Sequence, residues 1–300
     1  MIVVTGATGN TGSEVVKHLL AKSQKVRAIG RSEERLQPFA ANGVDPFVAD
    51  ITDFASLTKA FRDATAVYLM IPPNVQAEDV RAYQNSVNNA LVTAVQQAGV
   101  KHAVVLSSIG ADKKDKTGPV VGLYELEQKL NAISGLNVLH VRAGYFMENT
   151  LAQAGIIHAM GKTAGPLQAD LKVPMIATRD IGAAAAEALI SCDFKGSQAR
   201  ELLGQRDISV KEVTSIIAKA ISKPDLDYIQ LPDAQLRPAL QQMGMSGSMA
   251  DLLLEMSGSL NSGYMKALEP RSAKNTTPTS FETFVKEEFL PAFQGKSRAA

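Results

Sequence analysis

The opening residues, Met-Ile-Val-Val-Thr-Gly6-Ala-Thr-Gly9-Asn-Thr-Gly12, carry the spacing with the most chemical content in the chain. A β-branched run over residues 2–5 enters glycines at G-x-x-G-x-x-G spacing. An amphipathic segment with Val15, Val16, Leu19 and Leu20 leaves them. This is the strand–turn–helix context in which such glycines bind a dinucleotide. Gly6 permits the tight turn out of the strand, Gly9 lets backbone approach a pyrophosphate, and Gly12 brings the helix close to the sheet. The helix N-terminus adds unpaired N–H groups and the positive end of a dipole. About twenty residues further on, an NAD site carries Asp or Glu for the ribose 2′-hydroxyl. Here residues 25–29 read as the second strand, and Gly30, Arg31 and Ser32 follow it. An arginine fork suits a 2′-phosphate, and Ser32 adds a hydroxyl donor. The expected cofactor is therefore NADP(H) in preference to NAD(H). Glu33 and Glu34 fit the first turn of the next helix, where carboxylates are favourable.

The elements that position these groups alternate between strand and helix patterns, the mark of a parallel α/β sheet. Strands are expected at residues 45–49, 66–71, 103–107 and 137–142, with helices at 54–61, 79–98 and 121–134 between them. The run at 66–71 is apolar throughout, as in a strand buried on both faces. The expected fold class is α/β, a Rossmann doubly wound parallel sheet with a smaller, mostly helical C-terminal lobe. Residues 1–150 form the NAD(P)-binding domain, segments near 175–210 return to it, and residues 151–300 form the substrate or partner lobe. From Pro232 onward the chain reads as helical and Met-rich, with Met243, Met245, Met249, Met256 and Met265 suiting either core or an adaptable pocket. The last half-dozen residues read as unstructured.

Composition narrows the function classes. A chain of 300 residues with 45% hydrophobic and 20% charged residues has the balance of a globular protein with a sizeable core. A net charge of +1, with no Lys/Arg-rich run, argues against direct nucleic-acid binding. The single Cys192 excludes an internal disulfide framework and a multi-cysteine zinc site. His18, His102, His140 and His158 lack metal-ligand spacing. No apolar stretch is long enough to span a bilayer, and the start lacks a signal-peptide pattern. The expectations are no metal, no membrane partner and a cytoplasmic location.

Taken together, the glycine loop, Gly30-Arg31, Val104-Val-Leu-Ser-Ser108, Arg142-Ala-Gly-Tyr-Phe-Met-Glu-Asn149, Thr178-Arg-Asp-Ile-Gly182 and Leu203-Gly-Gln-Arg-Asp-Ile-Ser209 resemble the NmrA-like family of atypical short-chain dehydrogenase/reductases. The resemblance covers nearly the whole chain. It implies a Rossmann domain, a C-terminal lobe and a cleft between them. Such proteins include NAD(P)H-dependent quinone and azo reductases, which use a small-molecule electron acceptor, and non-catalytic redox-sensing regulators, which act through protein partners. It also implies that Thr8, Asn10 and Thr11 supply donors to the pyrophosphate. Asp50 and Ile51 would sit beside the adenine, and Ile71 and Pro72 would flank the nicotinamide ribose.

Reductases of the wider family use a Tyr-x-x-x-Lys pair. Anchored on Glu127, where relatives carry a helix glutamate, the tyrosine position holds Pro119 and the lysine position Leu123. The pair is absent. Tyr124 and Lys129 are five apart and do not share a helical face, which leaves Tyr124 a weak candidate for an acid. Ser107 is a candidate for the cofactor site, where it either orients a substrate carbonyl or caps the strand end. Tyr145 or Phe146 could stack on a nicotinamide or an aromatic substrate. The missing pair argues against alcohol dehydrogenation more than against quinone reduction, because an electron-poor acceptor can take its proton from water.

Overall fold

The computed structural model describes residues 1–296, so the expectation of an unstructured end falls largely on residues outside the described part. The first half alternates without interruption: β1 (Ile2–Val4), α1 (Asn10–Ala21), β2 (Val26–Gly30), α2 (Glu33–Ala40), β3 (Asp45–Val48), α3 (Phe54–Phe61), β4 (Ala66–Leu69), α4 (Val80–Ala98), β5 (His102–Ser108), α5 (Val121–Asn131) and β6 (Asn137–Ala143). Helix starts follow side-chain chemistry. Asp53 accepts from the Ala55 and Ser56 N–H groups to open α3, and Asp79 accepts from Ala82 N–H to open α4.

The second half begins with β7 (Tyr145–Phe146), α6 (Gln153–Met160), β8 (Thr163–Gly165), β9 (Lys172–Ile176) and α7 (Thr178–Ser191). It continues with β10 (Ser197–Leu202), β11 (Asp207–Ser209), α8 (Val210–Ala220), β12 (Tyr228–Gln230), α9 (Asp233–Gln242) and α10 (Gly247–Asn261). A last helical run covers residues 281–293. Between α10 and that run the chain is irregular over residues 262–280, which corrects the expectation of continuous helix from Pro232 onward. Arg271 and Asn275 bind backbone carbonyls there and hold the segment without helical hydrogen bonds.

A seven-stranded sheet has the order β10-β6-β5-β4-β1-β2-β3, with every neighbouring pair parallel. The strand order reverses between β1 and β4, the topological switch point at whose carboxyl edge such sheets bind ligands. Alternate strand residues face opposite layers. Ile2, Val4, Tyr68 and Val104 pack with α1, α2 and α7 through Leu19, Leu36, Ile181 and Leu189. Val3, Val67, Leu69 and Val105 pack with α3, α4 and α5 through Leu57, Leu91, Leu126 and Leu130. Both layers are closed, so the sheet is doubly wound.

The C-terminal lobe has its own core of Met147, Ile157, Val173, Met175, Ile208, Ile217, Phe281, Phe284 and Phe289. Alongside its helices it holds a three-stranded sheet, β11-β9-β7, and a two-stranded pair, β12-β8. Among the described residues no helix is long and apolar enough to cross a membrane.

His140, on β6, is 2% exposed, and its Nε2 meets Asn131 Oδ1 at 2.8 Å. Burial holds its imidazole neutral and pulls its pKa down to about 4. An unfolded histidine protonates near pH 6.5. Between those values the unfolded chain binds more protons than the folded one, so acidification from pH 6.5 to 4 should remove about 3 kcal/mol through this residue. Urea unfolding of the parent and of His140→Gln across that range should give stability curves that converge as pH falls. Parallel curves would contradict the assignment.

Candidate nucleotide site and its surroundings

The loop between β1 and α1 is shaped by backbone proximity. Gly6 has φ +61°, a left-handed turn. A Cβ built on Gly12 would lie well inside van der Waals contact distance of the Gly6 carbonyl oxygen. The start of α1 therefore lies against the loop, and only glycine fits there. Thr5 N–H donates to Tyr68 O at 3.1 Å, and Ala7 N–H donates to Ile29 O at 3.1 Å. These bonds suspend the loop between β4 and β2. Gly9 stands at the N-cap with extended backbone and no side chain capping the helix, and the first turn contains no acidic residue. The amides of Asn10, Thr11 and Gly12 have no intrahelical acceptor by position, so the helix presents bare donors and a positive dipole end at the switch point. Glycines that a Cβ would exclude, together with uncapped donors, fit a diphosphate.

At the end of β2, Arg31 is exposed and makes no hydrogen bond or ion pair among the described residues. Ser32 caps α2 by accepting Arg35 N–H at 3.3 Å, and its hydroxyl hydrogen is left for another acceptor. Arg35, which sequence reasoning missed, donates from Nη2 to the Thr8 carbonyl at 2.8 Å. Its place one helical turn after Arg31 was the available signal. Asp50 leaves β3 beside Arg31, because Ala49 N–H donates to Gly30 O at 3.1 Å. Thr52 donates its hydroxyl and its N–H to Asp50 Oδ1 at 2.6 and 2.8 Å, which holds the carboxyl below the usual range. Ile51 is buried; Ile71 and Pro72, after β4, are half-buried. Met70 was also missed: a Cβ on Gly6 would meet its sulfur at 2.6 Å, so the thioether covers the glycine loop.

Beyond β5 and β6 the candidate chemical groups are mostly committed to one another. The Ser107 hydroxyl donates to Glu127 Oε1 at 2.6 Å. Arg142 grips the same carboxylate through Nε at 3.1 Å and Nη2 at 2.6 Å. Glu127 is 1% exposed. This buried ion pair ties α5 to the ends of β5 and β6, and the Ser107 hydroxyl serves it rather than a substrate carbonyl. Tyr124 is half-buried on α5, while Lys129 gives its ammonium to Asn89 Oδ1 at 2.8 Å. Leu123 packs beside Ala111, Val120 and Met265, so apolar contacts fill the region where the family's lysine would stand. Tyr145 and Phe146 point into different cores, Tyr145 into the lobe and Phe146 into the α1–α7 layer. Burial raises the Tyr145 phenol above its ordinary pKa.

Helix α10 joins the two loops that border the carboxyl edge. Ser246 N–H donates to Val75 O at 2.8 Å on the loop before α4, and Ser248 Oγ accepts from Val80 N–H at 3.1 Å at the first residue of α4. Glu255 accepts Gly118 N–H at 3.2 Å, and the Ser259 hydroxyl donates to Lys116 O, both on the loop after β5. The methionine stripe divides: Met249 and Met265 are buried, and Met243 is exposed.

Two of the motifs carrying the family resemblance hold structure rather than chemistry. Glu148 accepts the Thr178 N–H and hydroxyl at 2.9 and 2.6 Å, Asp180 accepts Thr279, and Gly182 lets α7 cross α1 at Glu14. Arg206 pairs with Glu212 and Glu282.

Comparison with known proteins agrees with this geometry. The chain matches the NmrA-like family over residues 1–289. An NAD(P)H azoreductase of Xenophilus azovorans is 32% identical over 258 residues, covering 85% of this chain and 86% of the relative. Quinone oxidoreductase 2 of Escherichia coli (strain K12) is 29% identical over 260 residues, covering 85% and 86%. A crystal structure of the NADPH-dependent quinone oxidoreductase of Escherichia coli complexed with NADPH has a TM-score of 0.74 at 26% identity, covering 100% of this chain and 96% of that one. With its glycine loop, doubly wound sheet and lobe-docking motifs accounted for, the chain belongs to the NmrA-like family.

Proposed function

We propose that this chain is an NAD(P)H-dependent oxidoreductase that prefers NADPH and reduces an electron-poor small molecule of the quinone or azo class. The observation that carries the reading is the uncapped N-terminus of α1 at the switch point. The relatives named for azo and quinone reduction support it, because they match most of their own length. Gly6, Thr8, Gly9, Asn10, Thr11 and Gly12 hold the pyrophosphate. Arg31, without a protein partner, and Ser32 take the adenosine 2′-phosphate. Asp50 and Ile51 border the adenine, Ile71 and Pro72 the nicotinamide ribose, and Phe146 supplies an apolar face nearby. A reduced nicotinamide held there supplies a hydride to the acceptor, and water supplies the proton. No Tyr–Lys pair stands by to act as acid, which favours acceptors whose reduced form needs none.

Fluorescence titration should find NADPH bound more tightly than NADH. Arg31→Ala should lose about 1.5–3 kcal/mol for NADPH, the scale of a charged hydrogen bond, and little for NADH. Equal affinities in the parent would refute the cofactor preference.

Turnover tests the chemistry. NADPH consumption should be one mole per mole of quinone reduced to hydroquinone, or two per azo bond cleaved to amines, and Tyr124→Phe should change kcat by far less than the roughly 10²-fold or more expected on removing a general acid. A large, pH-dependent loss in Tyr124→Phe would restore a tyrosine acid. Tight NADPH binding without turnover of any such acceptor would instead mark a non-catalytic regulator acting through a protein partner.

A further inference from the structure

Helix α10 fastens to both sides of the crevice between the sheet edge and the lobe. On the sheet side Ser246, Ser248, Glu255 and Ser259 bond the chain leading into α4 and the loop after β5. On the lobe side Asn261 Nδ2 donates to Pro166 O at 3.0 Å, and Asn261 Oδ1 accepts Gln168 N–H at 2.9 Å, both on the loop after β8. The loop after β5 is shaped for this contact. Gly118, at φ +58°, would drive a Cβ into the Leu252 carbonyl, and a Cβ on Gly110, at φ +91°, would meet Met265 Cγ at 2.5 Å. A side chain at either glycine would push the chain from α10 to Met265 off the sheet edge.

Between its two polar edges α10 carries an apolar stripe. Met249, Leu253, Met256 and Leu260 recur at three- and four-residue intervals and share one helical face. Met249 is buried, whereas Leu253, Met256 and Leu260 are half-buried, so the stripe is open along most of its length. Met256 and Leu260 pack with Leu123 against Ala111, Val120 and Met265. Both charged side chains of α10 lie off the stripe: Asp251 pairs with Arg237 of α9 at 2.6 Å, and Glu255 takes the Gly118 N–H. With the adenine end at β2 and β3, a dinucleotide laid across the switch point brings its nicotinamide to β4 and β5, the side that α10 covers. We propose that Leu253, Met256 and Leu260 form the apolar wall against which the acceptor lies, and that this wall selects quinones with apolar substituents. Leucine and methionine chains offer such a substituent burial without a polar competitor, and the thioether adapts to its shape. The inference rests on the reductase reading above and adds the residues that select the acceptor.

The test is steady-state reduction, at saturating NADPH, of a dimethoxy-methyl-benzoquinone and its decyl derivative, which share one ring and differ in apolar bulk. Parent, Met256→Leu, Met256→Gln and Leu253→Gln are compared, with NADPH titration and thermal unfolding run alongside. The parent should show the higher kcat/KM for the decyl quinone. Met256→Gln keeps the length of the side chain and removes its apolar character. It and Leu253→Gln should cut the decyl preference roughly tenfold or more, the scale of lost apolar contacts in a pocket, through KM rather than kcat. Met256→Leu should keep the preference within about twofold, and NADPH affinity should stay within about twofold in every folded variant. A parent that does not prefer the decyl quinone overturns the inference. Folded glutamine variants that keep the preference also overturn it, as does a Met256→Leu variant that loses as much as Met256→Gln. If the parent binds NADPH but reduces neither quinone, the reductase reading fails and takes this inference with it. Quinone turnover that is indifferent to residues 253 and 256 removes the inference alone.

Discussion

The close approach of Gly12 to the Gly6 carbonyl is the constraint on which the rest of the site depends. With no Cβ between them, α1 begins against the end of β1 rather than a side chain's width away. Its first amides then open on the switch point between β1 and β4. An acidic cap would have neutralised that end, and the loop carries none. The cost of leaving helix donors without partners is recovered when an anion occupies the position. Thr5 and Ala7 fix the loop to the neighbouring strands, so the donors are arranged before any ligand arrives.

The walls of the crevice depend on contacts between residues far apart in sequence. Helix α10 binds both the loop before α4 and the loop after β5. The Thr178–Gly182 stretch locks α7 onto α1 on one side and onto the C-terminal segment on the other. Beneath the edge, the Glu127–Arg142 pair ties α5 to β6, while Pro119 and Leu123 occupy the positions that a Tyr–Lys pair would need. An ion pair this buried holds its partners tightly, because removing either leaves a charge without compensation. The carboxyl edge is thus held by committed side chains, the feature on which the proposed reduction of electron-poor acceptors without a tyrosine acid rests.

Much of the sheet was legible in the sequence, because its signals are local. The β-branched runs, the Asp53 and Asp79 caps and the Gly99 stop mark their elements within a residue or two. The phosphate loop was legible for the same reason, since the glycine spacing and its flanking strand and helix are contiguous. What escaped was set by distance in the chain. Nothing local ties Arg35 to the Thr8 carbonyl or Met70 to Gly6. The segment 262–280 read as helix although Gly263, Pro270 and Pro278 interrupt it, and Arg271 and Asn275 direct its backbone elsewhere. Ser107 shows the opposite limit. A strand-end serine suggests a substrate contact, but its partner is a glutamate twenty residues away.

A crystal structure of the chain with NADPH bound would show where the phosphates sit. Pyrophosphate oxygens are expected within hydrogen-bond distance of the Asn10 and Thr11 amides, and the 2′-phosphate in contact with the Arg31 guanidinium. A dinucleotide seated away from the start of α1, or a 2′-phosphate that leaves Arg31 in solvent, would contradict that placement.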